Sequence, residues 1–173
     1  MADELAARGI QFVFVYTREA HPGERYPHHS EMQQKLRHAR AMVQRWGIAR
    51  PMLVDDLQGT VHRAYGELPN MTYIVGAAGS VLYRADWTDA RSIRAALDQL
   101  VLEREQRRGG ARLTPFYQES MQQRTNTLEP FMEGLLLAGP RAVEEFIVAS
   151  SQTRGEAAAR PMRDWWERAR QRG

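Results

Sequence analysis

Three residues in one short stretch could do proton chemistry. In Phe12-Val13-Phe14-Val15-Tyr16-Thr17-Arg18-Glu19-Ala20-His21-Pro22, an apolar run leads into a carboxylate and an imidazole two residues apart. Such a run would deliver both groups, Glu19 and His21, to one end of a sheet, and an imidazole titrating near neutrality is suited to passing a proton. His29 follows, just ahead of a helical pattern, where the helix dipole disfavours an imidazolium and leaves a neutral hydrogen-bonding group. What such a site would need for redox work is a sulfur or selenium nucleophile, and the chain contains no cysteine. That excludes disulfides, thiolate metal sites and protein-thiol chemistry in these residues. The wider set His21, Glu24, His28, His29 and Glu31 matches no strong ligand spacing, so no metal and no cofactor are expected. His28 reads as solvent-facing, and His38 and His62 as structural or solvated.

Positioning these groups falls to a short α/β framework. Residues 2–8 read as the end of a helix stopped by Gly9. Residues 10–17 are rich in β-branched and aromatic side chains and apolar on both faces, as in a covered sheet strand. A polar loop over 18–29 precedes a long helix, with Ser30 as N-cap and Gln33 completing a capping box. That helix carries a core stripe of Met32, Leu36, Ala39, Val43 and Trp46 and is closed by Gly47. Pro51–Val54 is a short strand. Asp55 with Gln58 caps a helix placing Leu57, Val61, Ala64 and Tyr65 on one side. Residues 71–75 and 80–84 form a hairpin across Gly76–Gly79, and Thr88 caps a helix carrying Ile93, Leu97, Leu100 and Val101.

Gly109-Gly110 is the clearest boundary. It separates residues 1–108 from an all-helical extension at 111–173, with helices opened by Thr114-Pro115, by Asn126 with Glu129 and by Gly139-Pro140, and a fourth around Trp165-Trp166. Of that tryptophan pair, one ring should pack and the other stay exposed.

Tyr16-Thr17-Arg18-Glu19-Ala20-His21-Pro22, then Pro27-His28-His29 before an amphipathic helix, resembles the iodothyronine deiodinases and their bacterial relatives. The resemblance runs over roughly residues 5–102, through Leu53-Val54-Asp55, Ala64-Tyr65-Gly66, Leu68-Pro69, Tyr73-Ile74-Val75 and Val81-Leu82-Tyr83. It implies a thioredoxin-like sheet sandwich lacking its nucleophile-bearing strand, followed by the C-terminal helical extension. It also implies a thiol or selenol oxidoreductase acting by reductive dehalogenation or peroxide reduction, with Glu19 and His21 as proton relay and His29 binding substrate. The partners it implies are a small molecule (a halogenated aromatic or a peroxide) and a thiol reductant. The alternative is a non-catalytic thioredoxin-fold module for binding or assembly that has lost the redox centre.

In such a fold the absent strand lies between residues 10–17 and 71–75. Its loss should leave unpaired backbone in mid-sheet unless those two segments pair directly. An upstream start is therefore expected, with an in-frame UGA or cysteine codon shortly before codon 1.

The 24 basic residues, of which only Lys35 is lysine, are interleaved with 21 acidic ones for a net charge of +3. A one-signed nucleic-acid footprint is not expected. Neither membrane-spanning length nor a signal peptide is evident, so a cytoplasmic protein is expected. The C-terminal helices carry enough apolar surface to dock on the first domain or to form a homo-oligomer.

Overall fold

A computed structural model describes residues 2–113 and 127–172. It is a mixed α/β structure with two small sheets, seven helices among the described residues and a helical C-terminal region. The elements in order are α1 (Ala2–Ala6), β1 (Phe14–Tyr16), α2 (Met32–Trp46), β2 (Met52–Val54), α3 (Thr60–Ala64), β3 (Thr72–Val75), β4 (Val81–Ala85), α4 (Ala90–Arg108), α5 (Leu128–Ala138), α6 (Pro140–Arg154) and α7 (Glu156–Gln171). The helix expected from Thr114-Pro115 and the cap at Asn126 lie outside the described residues.

β1 pairs in parallel with β2, Phe14 opposite Met52 and Tyr16 opposite Val54. β3 pairs antiparallel with β4 and is not laddered to β1. Direct pairing of 10–17 with 71–75, the accommodation expected for a sheet short of a strand, does not occur. The sheet is instead split. This also corrects the length of the first strand: it is three residues rather than eight, because only β2 offers its backbone a partner. Phe14 donates to the Pro51 carbonyl at 2.9 Å, and Asp55 donates to the Tyr16 carbonyl at 3.0 Å. Ile10 and Phe12 pack with Ile74 onto a small cluster of Leu5, Ile93 and Leu97. The opposite face is not covered, with Val13 51% and Leu53 57% exposed.

α2 ends as expected, Gly47 taking the left-handed conformation (φ 57°) and donating to the Val43 carbonyl. Its start and its inward face differ from expectation. Glu31 occupies the N-cap position, and the Ser30 amide and hydroxyl both reach the Gln34 side chain rather than forming a box with Gln33. The buried positions are Lys35, His38 and Ala39, while Trp46 is 62% exposed. A polar inner face is tolerated because its polar atoms find partners: Lys35 Nζ donates to the Asp56 carbonyl at 2.7 Å.

α3 likewise turns His62 inward instead of Val61, with the ring 3.2 Å from the Leu68 carbonyl. Asp55 does cap it, accepting from the Val61 and His62 amides at 3.0 and 2.9 Å. Asp56, rather than Gln58, supplies the second cap by accepting from the Thr60 amide. At α4 the cap is Asp89, which accepts from the Ser92 amide; Thr88 bonds the Asn70 carbonyl and the Thr72 hydroxyl instead.

Helices α5, α6 and α7 enclose an apolar core of Met132, Leu135, Val143, Ile147, Ala159 and Trp165. Pro140 opens α6 as expected. Trp165 is buried, and Trp166 is partly buried beneath Arg170 rather than fully exposed. This unit meets the loop after β1: Arg25 donates to the Ala138 carbonyl at 2.9 Å, and the Glu24 carboxylate accepts from the Arg141 amide at 3.2 Å. Gly23 is required there, since a Cβ would stand 2.4 Å from the Ala138 oxygen. No described helix is long and apolar enough to cross a membrane.

Candidate functional site

Tyr16 is the last residue of β1 and is buried, so its hydroxyl is delivered at the carboxyl end of the strand. It donates a hydrogen bond to Glu19 Oε1. His29, at the end of the loop, brings Nε2 to 3.3 Å from the same hydroxyl, with the rings edge-on at 5.5 Å. His38, one and a half turns into α2, places Nδ1 3.1 Å from His29 Nε2 and 3.6 Å from Glu19 Oε1. Four side chains from a strand end, a loop and a helix therefore meet in one network.

Two of the three residues expected at the site are in it, Glu19 and His29. His21 is not. Among the described residues no hydrogen bond or ion pair joins it to Glu19, and its ring lies edge-on to Phe146 of α6 at 5.0 Å. β1 ends at Tyr16, so Glu19 and His21 lie in the loop beyond the strand. His21 keeps an exposed edge, yet partial burial beside α6 lowers its pKa. His28 is exposed as expected.

His38 is the residue that sequence reasoning missed. From the sequence it reads as structural or solvated, with no part in the site, whereas the structure buries it against His29 and Glu19. The available signal was its place one turn beyond Lys35, the two polar side chains falling at i, i+3 on a helix facing a His-rich loop.

The electrostatics follow from removal of water. Burial first, and then the positive fields of His38, Lys35 and His28, lower the His29 pKa to about 4, so its ring is neutral at physiological pH. The neutrality expected for His29 thus arises from desolvation rather than from a helix dipole. Burial and the bond to Glu19 raise the Tyr16 pKa and keep the phenol protonated. A consistent assignment has Tyr16 donating to Glu19 and His38 Nδ1–H donating to His29 Nε2, which leaves His29 Nδ1–H free to donate to a ligand.

A cavity of about 360 Å³ adjoins the network at the carboxyl ends of β1 and β2, lined by Thr17, Arg18, His28, His29, Lys35 and Arg63 among others. Ends of parallel strands are where open α/β sheets place ligands. Lys35 is partly neutralised by Asp55 and Asp56, although burial lowers its pKa. The balance of the lining is basic, with Glu67 the opposing carboxylate.

Comparison with protein-family models, curated proteins and solved structures returns no match.

Proposed function

We propose that Tyr16, Glu19, His29 and His38 form the acid–base and substrate-binding half of a deiodinase-like thiol or selenol oxidoreductase on a thioredoxin-like framework. The observation that carries this reading is the Tyr16–Glu19–His29–His38 network opening onto a basic cavity at the carboxyl end of β1. Arg18 and Arg63 favour an anionic ligand, and a halogenated phenol is such a ligand because halogens acidify the hydroxyl.

In the reaction, a thiolate attacks the halogen and the carbon–halogen electron pair passes to carbon, which takes up a proton. The sulfenyl halide is then resolved by a second thiol, so that Ar–X and 2 RSH become Ar–H, RSSR and HX. These residues hold no cysteine, so the attacking thiolate is not among them, and a free thiol that no site activates substitutes for it only slowly. The chain's own groups hold the phenolate oxygen through His29 and relay protons along Tyr16, Glu19 and His38. His21 has no place in this relay and acts on the loop through Phe146.

The test is ligand binding in a chelator-containing buffer, followed by imidazole and amide NMR. Ionised 2,4,6-triiodophenol should shift His29 and Thr17 signals and bind at least about tenfold more tightly than uncharged iodobenzene, about 1.4 kcal/mol. His29→Ala should remove most of that preference. Equal binding of the two, or binding indifferent to His29→Ala, contradicts the reading. With dithiothreitol as the only thiol the chain should bind without rapid turnover; efficient thiol-dependent dehalogenation by these residues alone would overturn the need for an activated nucleophile.

A further inference from the structure

We infer that Glu19, His29 and His38 bind a divalent transition-metal ion of the zinc class. Their ligand atoms lie within 4.8 Å of one another. The three edges are 3.1 Å for His29 Nε2 to His38 Nδ1, 3.6 Å for His38 Nδ1 to Glu19 Oε1 and 3.9 Å for His29 Nε2 to Glu19 Oε1. Tetrahedral coordination at zinc–nitrogen and zinc–oxygen lengths of about 2.0–2.2 Å sets ligand–ligand edges of about 3.3–3.5 Å. The triangle is therefore close to the face an ion would cap, and sub-ångström side-chain adjustment closes it.

The chemistry of the donors agrees. Two imidazoles and one carboxylate suit zinc, cobalt or iron(II), and not calcium or magnesium, which take oxygen donors. Tyr16 donates to Glu19 and so orients that ligand, the outer-shell role that raises affinity at such sites. His29 also lines the cavity, which leaves the ion a route in from solvent and a direction for a further ligand. The Lys35 ammonium donates to the Asp56 carbonyl and is balanced by Asp55 and Asp56.

This site does not depend on the proposed redox chemistry. The two share residues: a bound ion takes the lone pairs through which His29 and His38 would pass a proton, so the metal-loaded and proton-relaying forms exclude one another.

The test uses the full chain stripped with EDTA and titrated with Zn²⁺ or Co²⁺ alone. Calorimetry should give one ion per chain, and Co²⁺ should develop the intense visible absorption of a low-coordinate site. His38→Ala and Glu19→Gln should each weaken binding by about 100-fold and Tyr16→Phe by about tenfold, whereas His28→Ala should not. Should a variant misfold, Co²⁺ added to the parent chain should broaden His29 and His38 imidazole signals first and leave His62 sharp. Binding weaker than millimolar, or broadening centred on His21 or His28, overturns the inference. Because the phenol experiment is run in chelator, failure here leaves it unaffected, and its failure leaves this one unaffected.

Discussion

Residues 128–171 bury Met132, Leu135, Val143, Ile147 and Trp165 in one apolar cluster, whereas residues 2–108 bury Lys35, His38, Asp55 and His62 beside a cluster of three aliphatic side chains. The helical unit has the composition of an ordinary core. The site-bearing unit devotes much of its interior to groups that must be hydrogen-bonded to be tolerated there. Its two sheet fragments leave Val15, Leu53, Val75 and Leu82 exposed. The larger apolar core therefore lies in the C-terminal helices, and the candidate site in the polar interior of the other unit, with Glu24, Arg25 and His21 joining them.

The largest expected effect tests the first half of that contrast. Met132 is fully buried, and Met132→Ala should cost about 2–5 kcal/mol in denaturant unfolding of the helical unit. Leu53→Ala, at an exposed sheet position, should change stability by no more than about 0.5 kcal/mol. Similar costs for the two would erase the distinction between the units. Next comes Asp55, which accepts from the Asp56, Val61 and His62 amides. Asp55→Ala should cost about 1–3 kcal/mol and loosen α3, read as faster amide exchange at Val61 and His62 with α5–α7 unchanged.

The smallest effect is that of pH. His29 carries a folded pKa of about 4 against 6.5 when unperturbed. Between those values the unfolded chain binds the proton and the folded chain does not, so stability falls as pH drops through that window and levels off below it. His21, also lowered, contributes in the same direction. Urea midpoints at pH 7 and pH 5 should differ less in His29→Gln than in the parent chain; an equal difference would remove His29 as a buried neutral group.

How much of this was legible in the sequence depends on the range of the interactions involved. Gly47 ending α2, the hairpin across Gly76–Gly79 and Pro140 opening α6 are local, set by backbone preferences of a few residues. Glu19 and His29 were visible through their residue types and the polar loop that carries them. The length of β1 was not, because strand length depends on the partner available, and only β2 supplies one. His38 was hidden for a related reason. The apolar stripe ending at Trp46 points a helix one way only if an apolar surface awaits it, whereas here a carboxylate, a phenol and a second imidazole draw the opposite edge inward. The Glu19–His21 relay implied by the resemblance is not paired, because β1 ends at Tyr16 and the loop beyond it sets His21 against Phe146.

Central to the account is that Tyr16, Glu19, His29 and His38 act as one coupled unit. The most direct measurement is a nitrogen-detected NMR titration of the imidazoles in metal-free buffer. The account predicts that His29 titrates near 4 and that Tyr16→Phe perturbs the His29 and His38 signals together while leaving His62 in place. Titration of His29 near 6.5, with neither imidazole signal moved by Tyr16→Phe, would contradict it.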